Sequence, residues 1–264
     1  MLFHYFCAMI FDYIKYIFKA KDEHSLHSPF LFDFYTRIVK DKTNYGVYSE
    51  IENLRKQALK DKRLINITDF GAGAKLNSNK QRMVKDIAKH SLKRPQLAKF
   101  LHRIISYYNY KNILDLGTSL GITTAYLAKA NQDSQVNTFE GCAETANVAQ
   151  ENFDALSINN ISLNVGNIDT LLPEVLQKIE KIDFAFFDAN HRFEPTISYF
   201  EHCVGKIHED SCFVFDDIYW SNEMKMAWDT IKKHPEVSIS IDFYWIGIVF
   251  FRKKQPKQHF ILKF

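Results

Sequence analysis

The chain has 264 residues, of which 46% are hydrophobic, and its 34 lysines and arginines against 31 aspartates and glutamates leave a net charge of +3. That length suits one domain with an appendage, and so slight a charge imbalance argues against a protein held to nucleic acid by bulk charge. Cys7, Cys142, Cys203 and Cys212 show neither metal-ligand spacing nor a secreted disulfide pattern, which fits reduced thiols in a cytoplasmic protein.

Met1 to Phe18 is apolar and aromatic but is interrupted by His4, Asp12 and Lys15. It lacks the basic leader and small-residue cleavage site of a signal peptide, and the interruptions weigh against a spanning helix. The expectation is an amphipathic helix that packs either on the rest of the protein or on a partner subunit, the second giving a homo-oligomer through this segment. A membrane-surface helix is the alternative. Ser28-Pro29 then supplies an N-cap and a first-turn proline, with Phe30, Leu31, Phe34, Tyr35 and Ile38 following at helical spacing. Residues 1–65 read as a helical cap.

A glycine turn follows at Thr68-Asp69-Phe70-Gly71-Ala72-Gly73. No strand ending in an acid follows it at the distance a cofactor loop requires, so it reads as a loop near the pocket or a simple turn. Kinase-like use of Asp69-Phe70-Gly71 lacks the glycine-rich strand and catalytic loop that would accompany it. The next stretch is basic, from Lys75 through Arg82 and Lys93 to Arg103, with Asp86 its only acid. Without a nucleic-acid reader module, such a run reads as a solvated helix face. Residues 66–110 are thus a loop and basic helical lead-in to a domain over 111–264.

The most informative stretch is Asn112-Ile113-Leu114-Asp115-Leu116-Gly117-Thr118-Ser119-Leu120-Gly121-Ile122-Thr123-Thr124. An apolar run ends in an acid, turns through two glycines and enters a helical pattern. A parallel strand followed by such a turn delivers backbone N–H groups and a helix N-terminus to a ligand. The next run, 135–141, carries Glu140 at its end, where a carboxylate can accept hydrogen bonds from a ribose. A nucleoside cofactor site follows. The spacing is G-x-x-x-G, whereas a dinucleotide fingerprint reads G-x-G-x-x-G.

Further strand-like runs occupy 161–167, 182–188, 211–217, 237–243 and 246–252, with helical patterns between all but the last two. Alternation of this kind predicts a doubly wound α/β fold, a Rossmann-like seven-stranded sheet that is mostly parallel. Only Tyr244-Trp245 joins the last two runs, which predicts a C-terminal antiparallel hairpin. The glycine spacing after Asp115 resembles motif I of the class I S-adenosylmethionine-dependent methyltransferases. Together with the order of elements over about 95–253, it is similar to the catechol O-methyltransferase-like O-methyltransferases.

That resemblance implies a set of site residues. Asp115 and the turn Gly117, Thr118, Ser119 and Gly121 border the methionyl and ribose parts of S-adenosylmethionine. Thr123 stands where relatives place a hydroxyl on the methionyl carboxylate. Glu140, with Gly141 beside it, takes the ribose hydroxyls; Asn167 and Ile168 flank adenine, and Asp188 lies near the cofactor's amino end. The family's metal ligands, two aspartates and an asparagine, fall at Asp188, Asp216 and Asp217, so Asp217 departs from the pattern. Oxygen ligands of this kind suit Mg²⁺ or Ca²⁺. Alternatively, Asp188 faces only the cofactor while Asp216 or Asp217 caps a loop or orients substrate.

His191 lies three residues after Asp188, where the family carries a basic lysine, and imidazole can serve as a base near neutrality. It is equally able simply to orient Asp188 or to cap a helix. Phe193, Tyr219, Trp220, Tyr244 and Trp245 either wall an acceptor or pack. The expected activity is O-methyl transfer to a small or medium-sized acceptor (EC 2.1.1.-). A nicotinamide-dependent oxidoreductase and a non-catalytic nucleoside-binding or assembly protein are the rival readings.

Overall fold

The computed structural model describes residues 2–68 and 81–264, with side chains from Phe11 onward. Two compact units arise, Met1–Asp41 with Lys181–Phe264, and Lys42–Glu180. The first unit opens with α1 (Leu2–Lys19) and α2 (Pro29–Phe34), the latter continuing into a π-helical turn over Tyr35–Val39. Pro29 begins α2 as expected, although the Ser28 side chain makes no capping bond. Leu31, Phe34, Tyr35 and Ile38 are all buried, so the apolar spacing read from the sequence marks a true inner face.

The second unit contains α3 (Val47–Ala58), an antiparallel pair β1 (Leu64–Asn66) and β2 (Gln81–Met83), α4 (Val84–Ser91) and α5 (Pro95–Tyr108). Proline opens α5, and Asn109 ends it in the left-handed conformation, the usual way to stop a helix. The alternating elements follow: β3 (Asn112–Leu116), α6 (Ile122–Ala130), β4 (Gln135–Glu140), α7 (Ala143–Ala155), β5 (Ile161–Val165) and α8 (Ile168–Lys178). Strands β3, β4 and β5 are parallel, with Asp115 opposite Thr138 and Thr138 opposite Leu163. Every residue of α6 from Ile122 to Ala128 is buried, which explains why its apolar pattern has no polar face.

The first unit resumes with β6 (Phe184–Phe187), α9 (Phe193–Val204), β7 (Cys212–Asp216), α10 (Asn222–Lys233), β8 (Ile239–Asp242), β9 (Ile246–Phe250) and β10 (Gln258–Ile261). Strands β6 and β7 are parallel, β9 runs antiparallel to both β7 and β8, and β10 joins β8 in parallel. The expected hairpin is therefore present. Strands β1, β2 and β10 are additions to the sequence reading. At three or four residues each, and mostly exposed, they carry too little period-two alternation to be seen.

Helix α1 packs on this C-terminal set of strands. Tyr16 Oη donates to the Leu262 carbonyl at 2.7 Å, and the Tyr13 and Tyr16 rings lie 5.0 and 5.5 Å from that of Tyr244. Asp12 pairs with Lys225 of α10. Past the helix, Lys21 N–H donates to Ile261 and Lys263 N–H donates to Lys21, each at 2.9 Å.

In β9, a Cβ at Gly247 would sit 2.6 Å from the Trp228 ring of α10. Gly247→Ala is expected to destabilise the protein by about 1–3 kcal/mol through overpacking. Urea denaturation checks this, and an unchanged midpoint would show that α10 yields freely.

Candidate functional site

In the second unit the glycine turn is built around a buried carboxylate. Asp115 Oδ2 accepts hydrogen bonds from Thr124 Oγ1 at 2.6 Å and Thr138 Oγ1 at 2.9 Å. Thr118 Oγ1 lies 2.6 Å from Thr138 Oγ1, and Thr118 N–H donates to the Phe139 carbonyl at 2.9 Å. The chain then reverses through positive φ at Gly117 (129°), Ser119 (48°) and Gly121 (75°). Gly121 is required twice over, because a Cβ there would fall 2.5 Å from the Phe153 ring of α7 as well as straining the backbone.

Glu140, at the carboxyl end of β4, faces this turn. Its Oε2 accepts from Ser119 N–H and its Oε1 from Cys142 N–H, both at 2.9 Å. Glu140 and Ser119 line a cavity of about 180 Å³ together with Cys142, Thr145, Ile67, Thr68, Arg82 and Ile87. Of the last six, sequence reasoning named none as lining, although Thr68 opens the turn read as a loop near the pocket or a simple turn. Cys142 had a local signal, since it follows the strand-end acid and caps α7, whereas Ile67, Thr68, Arg82 and Ile87 come from distant sequence. The Cys142 thiol bridges back to that distant segment, accepting from Thr68 N–H at 3.5 Å and donating to the Asn66 carbonyl at 3.2 Å. Glu144 clasps Asn66 through its backbone and side-chain N–H groups, both at 2.6 Å.

The other expected cofactor residues are placed differently. Asp115 is fully buried, Thr123 is largely so, and Gly141 is half-buried beside Glu140. Asn167 uses its side chain to cap α8, accepting from Asp169 N–H at 3.0 Å, with Ile168 the first residue of that helix. Neither Asn167 nor Ile168 lines the cavity that Glu140 lines. Of the glycine turn at 68–73, only Thr68 lies within the described residues.

In the first unit, β6 leads into a tight loop where Asn190 and His191 take consecutive positive φ values of 67° and 41°. Non-glycine residues seldom adopt that conformation, and such strain concentrates at functional loops. The loop is held by Asn190 Nδ2, which donates to Tyr199 Oη at 3.2 Å, and by His191 Nε2, which lies 3.4 Å from Asp188 Oδ1. Burial opposes a charge on His191. The Asp188 hydrogen bond and the charges of Asp188, Asp217 and Asp216 outweigh it, so the imidazole is held above its ordinary pKa.

A methyltransferase-domain family matches residues 114–218. The chain is 28% identical to the O-methyltransferase imqG of Aspergillus flavus over 168 residues, covering 61% of this chain and 65% of that protein. It is also 28% identical to a catechol O-methyltransferase of Niastella koreensis over 127 residues, covering 47% of this chain and 57% of the relative. The chain thus spans less than two thirds of the length of either relative. The solved O-methyltransferase from Bacillus cereus, in complex with SAH, superimposes with a TM-score of 0.55 at 20% identity, over 81% of this chain and 98% of that one. The chain is thus similar to S-adenosylmethionine-dependent O-methyltransferases of the catechol type. Its fold is accordingly α/β and Rossmann-like, a mixed sheet with antiparallel strands near the C-terminus and helices at the N-terminus.

Against this family's pattern, the metal expectation does not fit the side chains present. Among the described residues no group of three or more His, Cys, Asp or Glu side chains converges as a metal site requires. Asp188 lies against His191, Asp216 is buried on β7, and Asp217 takes a positive φ of 54°. The three acids share an electrostatic neighbourhood around His191 without forming a ligand set. The aromatic loops also divide. Tyr219 stacks on Tyr244 at 5.1 Å and donates to Asp242 Oδ2 at 2.8 Å, so both rings belong to the packing under α1, while Trp220 and Trp245 are exposed.

The raised pKa of His191 has a definite sign in stability. While Asp188 stays ionised and the pH is below the ordinary imidazole value of 6.5, the pair contributes fully; the contribution is lost as pH rises through the raised folded value. His191→Gln should therefore cost most stability in mild acid and least in alkali. Urea melts across that range check this, and a pH-independent difference would refute it.

Proposed function

We propose that the chain transfers a methyl group from S-adenosylmethionine to an oxygen of a small or medium-sized acceptor in the cytoplasm. The observation that carries this reading is Glu140, whose two oxygens are anchored by Ser119 and Cys142 N–H groups where the carboxylate lines a cavity beside the glycine turn. A carboxylate so placed is the kind of group that accepts from a pair of vicinal hydroxyls such as a ribose presents. The N-terminus of α6, opened by Gly121, suits a carboxylate such as the methionyl one. The donor set therefore fits the cofactor.

When bound, S-adenosylmethionine supplies a methyl group on a sulfonium, activated for in-line displacement. The protein's part is binding, alignment and removal of the acceptor's proton. Glu140 and Gly141 hold the ribose side, Thr118, Ser119 and Thr123 border the methionyl side, and Asp115 holds the turn rigid from beneath. His191 takes the hydroxyl proton, and Asp188 steadies the imidazolium that results. Because Asp188 raises the pKa, His191 is a stronger base, with less of it neutral at any given pH. The free, buried state of Cys142, Cys203 and Cys212 supports a reducing compartment.

S-adenosylmethionine and S-adenosylhomocysteine should raise the melting temperature, and nicotinamide dinucleotides should not. Glu140→Ala should weaken cofactor binding by about 1–3 kcal/mol through loss of charged hydrogen bonds. Stabilisation by a dinucleotide alone would return the reading to an oxidoreductase. In turnover assays with a panel of hydroxylated acceptors, His191→Ala should slow transfer by about 10²–10⁴-fold while leaving cofactor binding in place. A chelator should have no effect on the rate, since the acid trio does not converge. Loss of turnover on metal removal, restored by Mg²⁺, would overturn the proton-transfer scheme.

A further inference from the structure

Helix α1 has two faces of different fate. Asp12, Tyr16 and Ala20, spaced four apart, lie against the C-terminal strands and α10. The opposite face is apolar and uncovered: Phe11 is 65% exposed, Ile14 44%, Ile17 49% and Phe18 87%. Their spacing of three and four residues places them in one stripe. Lys15 and Lys19, both exposed, run along one edge of it. The only acid of the helix, Asp12, is already paired with Lys225. The exposed side of the helix therefore carries positive charge alone.

We propose that this stripe is a docking surface for an anionic lipid bilayer, with α1 lying in the plane of the interface. Charge selects this occupant. A second copy of the chain meeting the stripe about a two-fold axis would set lysine-edged faces against each other with no acid to answer them. Area points the same way. Taking roughly 200 Å² for a fully exposed large apolar side chain, the stripe offers about 500 Å², or about 650 Å² with the exposed parts of Tyr13 and Trp245. A stable dimer buries about 800 Å² per partner. A bilayer sets no such threshold, since phenylalanines can insert singly while lysines stay among the headgroups. Crossing is not the mode of attachment, because no described helix is long and apolar enough to span a membrane.

The test is co-sedimentation of the full chain with phosphatidylcholine vesicles that do or do not contain phosphatidylglycerol. Partitioning should be strong on the mixed vesicles, weak on the neutral ones and reduced by salt. F11S/F18S should abolish it, and K15E/K19E should weaken it by about tenfold or more on the mixed vesicles only. All four side chains are exposed, so the melting temperature of both variants should match that of the parent; this separates lost docking from lost folding. Absence of partitioning by the parent, or partitioning indifferent to both variants, overturns the proposal. So does a concentration-dependent dimer that F11S/F18S dissolves in a chain that ignores lipid, which would assign the stripe to a second copy. Methyl transfer in solution plays no part in any of these outcomes.

Discussion

An ionised carboxylate buried without partners would cost several kcal/mol, and the second unit is organised around avoiding that cost at Asp115. Its two hydroxyl donors come from different elements, Thr124 on α6 and Thr138 on β4, while Asp115 itself is on β3. Both donors reach Oδ2 only when strand, helix and neighbouring strand have come together. That condition fixes the glycine turn between them, and Thr118 adds a further tie to Thr138. Phe153 then closes over Gly121 from α7, leaving the turn little room to move. Glu140 inherits this rigidity, since one of the N–H groups that orient it belongs to Ser119 within the turn. A site of this kind is prepared before its ligand arrives, which lowers the ordering cost of binding.

The Asp188–His191 loop works on another principle. Its backbone departs from comfortable geometry at Asn190 and His191, and side chains rather than regular secondary structure hold it there. The acids around His191 favour its charged form, while partial burial disfavours it. Such opposition makes the protonation state responsive to small changes nearby, which is useful in a group that must gain and lose a proton.

Much of the fold was legible because apolar runs of four to six residues alternate with helical patterns. Each of the seven runs read from residue 112 onward forms a strand, with ends shifted by at most three residues. Strand β10 escaped because Gln258 and His259 are exposed at its start, and β1 and β2 because three residues cannot display a period. In the site, glycine spacing and strand-end acids pointed to the turn and to Glu140, features set by local chain geometry. Arg82 and Ile87 were invisible as lining residues, since the approach of their segment to Glu140 depends on long-range packing through Asn66, Glu144 and Cys142. The acids at 188, 216 and 217 were read correctly as lying at strand ends. Their backbone settings were not readable: a left-handed residue at 217 is invisible in composition, while Asn167, a residue type that favours helix N-caps, spends its side chain on α8.

The backbone ties between Lys21 and residues 261 and 263, together with the Tyr16 bond to Leu262, join segments separated by nearly the whole chain. During synthesis α1 leaves the ribosome well before its strand partners, which lie roughly 220 residues further along the chain. At roughly 5–20 residues per second, the inner aromatic face of the helix waits tens of seconds for its cover. Throughout that interval both faces of α1 are open to solvent, and a nascent chain in this state is a natural client for a holding chaperone. The same seam closes a loop with a sequence separation of 246 between Tyr16 and Leu262, at an entropic cost of about 5 kcal/mol by the logarithmic law for flexible chains.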